Sequence, residues 1–218
     1  MEGLTWKKKI WRNLCCWGGT AEKLVLCQIF ATVIYTVIFS GSFQLNWDSA
    51  IGYATMLGVI FSFMIPVSIG AQRLSVVISL GSGRKEAVFG MQLMNLLMVT
   101  QMAAVGVLCM LGEGGLKSFR WQMAAFYFFL LLFAGALGQV MAVVYMYVGM
   151  KGIVIFLIAL AGVAIFALCS IFWFGDMELI REFIMKKATL LGGIAAILLY
   201  ALSVFLLYRR TKTYEVRV

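Results

Sequence analysis

A few uncharged polar side chains interrupt the long apolar runs of the sequence, and they are its candidates for chemistry inside a membrane. They are Gln28, Thr32 and Thr36 in the first run, Gln92, Asn95 and Gln101 in the third, and Gln139 in the fourth. Polar side chains in membrane helices most often form hydrogen bonds with a neighbouring helix. We expect that role for this set, and contact with a substrate is the alternative.

The sequence lacks the residues from which most catalytic and metal sites are built. It contains no histidine, which removes the commonest general base, proton relay and zinc ligand at once. The five cysteines form no CxxC pair and no cluster in an outer loop, so we interpret them as small apolar residues. We predict no catalytic residue, no metal site and no cofactor in this chain, which is therefore not expected to be an enzyme.

The sequence also lacks the features of two common energy sources, which are nucleotide hydrolysis and ion gradients. No stretch matches the GxxxxGK[ST] pattern with which P-loop proteins bind nucleotide. Carriers driven by protons or sodium usually keep ionisable groups inside the bilayer, and the long apolar runs contain no Asp, Glu, Lys, Arg or His. Any energy must therefore come from a partner.

Composition places the chain in a membrane. It has 218 residues, of which 63% are hydrophobic and only 12% charged, and its mean hydropathy is +0.99. A membrane-spanning helix needs roughly 20 apolar residues, so six helices use about 120 of them and leave short connections. The single proline and the long runs favour helices over the short alternating strands of a barrel. We predict an all-α polytopic membrane protein.

Six charge-free runs mark the predicted spans of a transmembrane domain over residues 24–218. They cover residues 24–41, 51–72, 87–111, 121–150, 152–175 and 188–208. The fourth run is longer than a bilayer requires, so its helix should tilt or project on one side. The pairs Ala134 with Gly138 and Gly192 with Ala196 have a spacing that permits close contact between helices.

Basic residues are distributed unequally between the two sides of these spans. Alternate connections place 13 of the 18 Lys and Arg residues on one side and five on the other. Basic residues near span ends are retained in the cytoplasm, so both termini should be cytoplasmic. The net charge of +9 is then a signature of topology, and we expect a multi-pass protein of a bacterial plasma membrane with no nucleic-acid partner.

Two segments outside the spans have amphipathic patterns. In residues 1–23, Trp6, Ile10 and Leu14 recur at near-helical spacing with basic residues on another face. This pattern predicts a helix in the inner interface of the bilayer, and a merely basic tail is the alternative. Residues 175–187 predict a second such helix at the outer interface, capped by Asp176.

The connection between the second and third spans is partly apolar, unlike an ordinary hydrophilic loop. A short cytoplasmic helix with one apolar side is predicted there, from Leu74, Val77, Ile78 and Leu80. Gly81 can end it in the left-handed conformation, Ser82 can cap the next helix, and Glu86 is favoured in the first turn of that helix. The apolar side needs a partner, which is either another protein or the chain's own inner helix ends.

The order of these elements resembles that of the permease subunit of an ABC transporter of the type-2 exporter class. Members of that class have an inner-surface helix, six spans, a coupling helix after the second span and an outer helical segment before the sixth. The string LGSGRKEAVFG at residues 80–90 is similar to the family's glycine-x-x-arginine-lysine turn into the third span. Unlike larger members, this chain has no sizeable outer domain between the fifth and sixth spans.

The resemblance implies two permease chains, identical or different, docked on two separate ATPase subunits that bind ATP and magnesium. It assigns coupling with the ATPase to Arg73, Leu74, Val77, Ile78, Leu80, Gly81, Arg84, Lys85 and Glu86. It also implies a substrate path along the second and fifth spans, lined here by Tyr53, Met56, Phe61, Met64, Phe156, Phe166 and Phe172.

The cargo expected for such a path is hydrophobic or amphipathic, such as a peptide or a lipid-like compound, because the path residues are apolar and adaptable. For any one of these residues, contact with lipid or with a neighbouring helix is the alternative. The function that we expect is export from the cytoplasm, driven by a partner ATPase. The alternatives are a membrane sensor or immunity protein that transports nothing, and a channel or ion-coupled carrier.

The orientation can be tested with single cysteines in a cysteine-free background. Asn46→Cys and Glu178→Cys should react with an impermeant thiol reagent added outside cells. Arg84→Cys should not react, because the distribution of basic residues places position 84 inside. The mass of the purified chain reports the labelling. Reaction at position 84 with protection of positions 46 and 178 would reverse the orientation.

Overall fold

The chain is helical throughout the part that the structure describes. The computed structural model describes residues 8, 19, 22–34, 37–38, 47–70, 74, 78, 83–114, 121–174 and 189–213, with the backbone alone at 47–49, 113–114 and 163–174. Within these ranges, every residue except Gly83 and Gly149 is helical. The predicted all-α class is confirmed for this part of the chain.

Six helices account for almost all of the described residues. They are α1 at residues 22–34, α2 at Trp47–Ser68, α3 at Arg84–Gly114, α4 at Trp121–Val148, α5 at Met150–Phe174 and α6 at Thr189–Thr213. Residues 37–38 are helical as well. Leucine, alanine and methionine, which favour helices, recur in α2 to α6.

Four of these helices are long and apolar enough to cross a membrane. The membrane-length stretches are Ala50–Ser68 in α2, Arg84–Gly112 in α3, Trp121–Val148 in α4 and Thr189–Thr213 in α6. In α5 the stretch with described side chains, Met150–Gly162, is apolar but shorter. By length and composition, the described residues thus provide four of the six expected spans of a membrane protein.

The two predicted amphipathic helices lie largely outside the described residues. Of residues 1–23, the structure describes Lys8, Gly19 and residues 22–23, and all of these are helical. The outer segment at residues 175–187 lies wholly outside the described ranges.

Helix α2 begins earlier than the sequence predicts and changes its winding near its end. It starts at Trp47 rather than at residue 51, and Pro66 lies inside it. Proline has no backbone N–H, so the carbonyl of Ser62 loses its helical partner. Ile69 and Gly70 follow in a π-helical turn, a wider winding that occurs mainly as short bulges in α-helices.

Helix α3 begins at Arg84, before the predicted start at residue 87. Arg84 and Lys85, which were predicted to lie in the connecting turn, are therefore helical. The amide of Ala87 donates to the carbonyl of Gly83 at 3.0 Å. Glu86 lies in the first turn as predicted, and its carboxylate packs over Gly83, where a side chain would otherwise stand. An acid is stabilised there because the N-terminal end of the helix dipole is positive.

Helices α4 and α5 are joined by Gly149 alone, and not at Lys151 as the charge pattern predicts. Gly149 has a φ of 72°, a left-handed conformation that glycine adopts without steric cost. Its amide donates to the carbonyl of Tyr145 at 2.8 Å, and the amide of Gly152 donates to the Gly149 carbonyl at 3.0 Å. Backbone conformation therefore sets the end of α4, and Lys151 lies exposed in the first turn of α5.

Helix α4 is the centre of the bundle. It packs against α2, α3, α5 and α6, while α2 also packs against α3, and α3 against α6. Its buried residues include the small ones Ala134, Gly135, Ala136, Gly138 and Ala142. Small residues let the backbones of neighbouring helices approach closely.

Helix α2 approaches α4 closely. The backbone carbonyl of Phe63 lies against Gly138, so near that a β-carbon on residue 138 would overlap it. One helical turn further along α4, a β-carbon added to Gly70 would lie 2.6 Å from the β-carbon of Ala142. The predicted contact role of Gly138 is confirmed.

The residues of α6 that contact α4 differ from the prediction at one position. Ala196 is buried as expected, at 1% exposure. Gly192, however, has open space where a side chain would stand, and Gly193 packs against the ring of Phe129 in α4. The prediction failed at Gly192 because α6 is apolar on all sides, so its sequence pattern does not show which side meets α4.

A methyl group on residue 138 should separate α2 from α4. In Gly138→Ala this group overlaps the Phe63 carbonyl, and such overpacking costs about 1–3 kcal/mol. In the matched variant Gly192→Ala the methyl group enters open space, and better helix propensity contributes about 1 kcal/mol. The free energy of unfolding, measured by SDS titration, should fall in the first variant only. An equal change in both would contradict the close contact.

Candidate functional site

The residues predicted to couple with an ATPase fall into a buried and an exposed group. Leu74 is 1% exposed and belongs to the hydrophobic core, and Ile78 packs against that core. Arg84 and Lys85 are exposed at the start of α3, and Glu86 is half-buried. The remaining four lie outside the described residues: Arg73, Val77, Leu80 and Gly81.

The described apolar residues of this segment contact the chain itself. The core cluster that holds Leu74 also contains Ile69 of the π-helical turn, Val88 of α3 and Met146 of α4. Of the two partners expected for the apolar side, the chain's own helix ends therefore hold Leu74 and Ile78. The exposed part of the segment, as far as the structure describes it, is basic.

One end of the bundle carries most of the described basic side chains, and it is called the basic end here. It is formed by the helix termini with Arg84, Lys85, Lys151, Arg209, Arg210 and Lys212. Arg84 of α3 donates a hydrogen bond from Nη1 to the backbone carbonyl of Lys212 in α6. Arg210 of α6 donates from Nη2 to the carbonyl of Met146 in α4 at 2.8 Å, and its guanidinium lies 4.0 Å from the centroid of the Tyr147 ring.

Both arginines stabilise the end of a neighbouring helix. The last carbonyls of a helix have no partner within it, and they form the negative end of its dipole. Met146 and Lys212 lie in the last turns of α4 and α6, so each accepts a hydrogen bond where a cation is favoured. The basic end is thereby linked from α3 to α6 and from α6 to α4.

The predicted path residues of α2 lie on two different surfaces. Met56 and Met64 are 53% and 54% exposed, and Ile60 between them is 45% exposed. Tyr53 and Phe61 are half-buried, and Phe61 packs against the core of the chain. Met56, Ile60 and Met64 share one face of the helix because they are spaced by four residues.

The predicted path residues of α5 are described at one position. Phe156 is half-buried, and the side chains of Phe166 and Phe172 lie outside the described ones. Within the described residues, α2 and α5 are not a packed pair of helices, since each packs on α4. Among the residues whose side chains the structure describes, Phe156 is thus the path residue of α5, and its helix packs on α4.

Gln28 and Tyr127 connect three helices through one backbone carbonyl. Gln28 Nε2 of α1 donates to the carbonyl of Ala54 in α2 at 2.9 Å, and the Tyr127 hydroxyl of α4 donates to the same oxygen at 3.0 Å. A β-carbon at Gly58 would lie 2.5 Å from that hydroxyl, and the Tyr127 ring packs on Gly106 of α3. Two glycines thus make the space in which the tyrosine is buried.

A second polar group, the mid-helix cluster, joins α3, α4 and α6. It consists of Gln92, Asn95, Gln139, Tyr200 and Ser203. Gln139 Nε2 and the Tyr200 hydroxyl each donate to Gln92 Oε1 at 2.8 Å. Ser203 Oγ donates to Gln139 Oε1 at 2.8 Å. Gln139 and Ser203 are both 0% exposed, so these bonds satisfy groups that are costly to bury alone.

The predicted role of the polar residues in joining helices is confirmed for Gln28, Gln92 and Gln139. Thr36 lies outside the described residues. Three of their partners were not predicted from the sequence, namely Tyr127, Tyr200 and Ser203. A tyrosine within an apolar run was the available signal, because its hydroxyl needs an acceptor when the ring is buried.

A groove between α4 and α6 opens at the end of the bundle opposite the basic end. Its volume is about 460 Å³, and it is lined by Gln122, Phe129, Thr189, Leu190, Gly193, Ile194 and Ile197. The walls are apolar apart from Gln122 and Thr189. Such a groove can take an apolar chain or ring.

The described residues hold no group of three or more acidic or cysteine side chains that could bind a metal ion. Two cysteines are described in full, and both are free thiols. Cys27 is exposed on α1, and Cys109 is half-buried in α3.

No family model matches the chain, and neither a curated protein nor a solved structure matches it.

The link from Arg210 to α4 should contribute to stability. Arg210→Met keeps most of the apolar stem but removes the hydrogen bond to Met146 and the contact with the Tyr147 ring, a loss of about 2 kcal/mol. Arg209→Met is the matched control, since Arg209 is exposed at the same helix end. SDS titration of both purified variants measures the free energy of unfolding. Equal losses would contradict a specific role for Arg210.

Proposed function

We propose that the protein is the membrane-spanning permease subunit of an ATP-driven exporter, working with a separate ATPase. The observation that carries this proposal is the turn that enters α3 at the basic end. Lys85 is exposed there, next to Arg84, whose guanidinium is hydrogen-bonded to the end of α6. A partner protein that binds this turn therefore contacts a surface joined to the rest of the bundle.

The contacts at the basic end provide a route for mechanical coupling. Displacement of the turn moves α3 directly, because Arg84 and Lys85 lie in its first turn. Arg84 passes the displacement to α6, and Arg210 passes it from α6 to α4. Leu74 and Ile78 hold the preceding segment on the same core. Closure of an ATPase pair beneath this end would thus act on three helices together.

The energy source in this proposal is ATP, bound with magnesium on the partner. The chain has no P-loop pattern of its own, and its apolar runs carry no ionisable group that could bind a driving ion. The excess of basic residues favours a cytoplasmic position for the basic end, on the side where a soluble ATPase is found. Both termini are then cytoplasmic, and six spans complete the domain.

A second permease chain, identical or related, completes the substrate path. In the described part of the chain α2 and α5 each pack on α4, and a path lined by both would be completed by the face of another chain. The exposed face of α2 with Met56, Ile60 and Met64 is apolar, and methionine adapts to guests of different shape. A hydrophobic or amphipathic cargo, such as a peptide or lipid-like compound, fits this face.

Reversal of one charge at the turn should release the ATPase. In Lys85→Glu an exposed cation of the proposed docking surface becomes an anion. The matched control is Lys151→Glu, an exposed lysine in the first turn of α5, at the same end of the bundle but outside the turn. Affinity purification of the tagged chain from its native membranes, followed by mass spectrometry and an ATP hydrolysis assay, measures the retained ATPase.

Wild type and Lys151→Glu should retain the ATPase, and Lys85→Glu should lose most of it while accumulating normally in the membrane. Normal accumulation is expected because residue 85 is exposed and lies at the helix end. An unchanged yield of ATPase with Lys85→Glu would contradict the docking surface. Absence of any ATPase from the wild-type preparation would contradict the proposed function itself.

A further inference from the structure

Asn95 is buried in the mid-helix cluster without a hydrogen bond of normal geometry. It is 1% exposed, and neither its amide nitrogen nor its amide oxygen is bonded to a described protein group. Gln92 Nε2, one turn earlier on α3, is likewise buried without a partner.

The depth of Asn95 makes these unmet groups costly. With a rise of about 1.5 Å per residue, Asn95 lies about 16 Å along α3 from Arg84. That position is well inside the membrane-length stretch Arg84–Gly112. Polar groups at such a depth cannot turn to bulk water and must be satisfied within the protein.

The hydroxyl groups of the mid-helix cluster already donate their hydrogens to acceptors other than Asn95. The Tyr200 hydroxyl donates to Gln92 Oε1, and Ser203 Oγ donates to Gln139 Oε1. Tyr200 lies close enough to Asn95 to interact with its amide, but not with the length and angle of a normal hydrogen bond. Buried polar groups that lack a normal hydrogen bond are commonly satisfied by a shared water.

We propose that Asn95, Gln92 and Tyr200 form a binding site for ordered water inside the membrane-spanning part of the protein. Water accepts hydrogen bonds from the amide groups of Gln92 and Asn95, and it donates to Asn95 Oδ1 and to the hydroxyl oxygen of Tyr200. Buried waters typically make about three hydrogen bonds to groups that otherwise lack partners. The site supplies partners of both kinds.

The packing around Asn95 is close and excludes a guest larger than water. A β-carbon added to Gly135 of α4 would lie 3.2 Å from Nδ2 and 3.3 Å from Oδ1 of Asn95. Met91, Met98 and Val99 on the same helix are each 0% exposed. The site is therefore distinct from the apolar path proposed for cargo, and it does not depend on the proposed function.

Solid-state NMR of the full chain in lipid bilayers tests this site directly. Asparagine occurs only at residues 13, 46 and 95, so labelling with ¹⁵N-asparagine gives three side-chain signals. Loss of one signal in Asn95→Leu assigns the signal of residue 95. If Asn95→Leu does not fold, the double variant Asn13→Gln, Asn46→Gln assigns the same signal, because Asn95 is then the one asparagine left. Magnetisation is then transferred from water protons to the labelled nitrogens, and its rate of build-up is recorded.

The side-chain amide of Asn95 should build up several-fold faster than the backbone amide of the same residue, which is the internal control within α3. Equal, slow build-up at both nitrogens would overturn the proposal, because it would show that the side chain is dry. In Gly135→Ala the added methyl group lies against the Asn95 amide, 3.2 Å from Nδ2 and 3.3 Å from Oδ1. It should cover the amide atoms that bind water, so the fast transfer should be lost. Gly192→Ala should retain it. Fast transfer that persists in Gly135→Ala would also overturn the proposed site.

Discussion

The approach of neighbouring helices to the small residues of α4 is the contact on which the rest of the structure depends. Lipid tails are as apolar as the helices, so helices in a bilayer associate through close packing and hydrogen bonds. Gly138 admits the backbone of α2 at Phe63, and Gly135 admits Asn95 of α3. With larger side chains at these two positions, α2 and α3 would be displaced, and Gln92 would no longer reach Gln139 at 2.8 Å.

Polar contacts join the helices at two places along their length. The mid-helix cluster satisfies the buried side chains of Gln139 and Ser203 and joins α3, α4 and α6 at one depth. At the basic end, Arg84 and Arg210 join the termini of the same three helices. In the proposed exporter, force applied to the exposed turn at Lys85 would spread through these termini, while the apolar face of α2 with Met56 and Met64 would be left for cargo or a second chain. An exporter of this kind would need both a firm bundle and a free surface.

Long-range contacts mark the limit of what the sequence predicts. Apolar runs predict the helices within a few residues because hydropathy reports burial in a membrane, and the dipole places Glu86 in its turn. The end of α4 at Gly149 was missed because a left-handed glycine follows from backbone conformation rather than charge. For the candidate site, the exposed basic residues were foreseeable. The sequence left open whether Leu74 packs on a partner or on the chain's own core, where the structure places it. The reach of Tyr200 to Gln92 was not predicted, since it joins segments far apart in sequence.

The most direct measurement of the central claim is transport by inside-out vesicles from cells that contain the chain and its partners. A set of fluorescent hydrophobic peptides and lipids serves as probes, with vesicles lacking the chain as the control. The account predicts that at least one probe accumulates when ATP and magnesium are added, and that accumulation persists when the proton and sodium gradients are collapsed. Accumulation that stops on collapse of either gradient with ATP still present, or that never requires ATP, would contradict an ATP-driven permease.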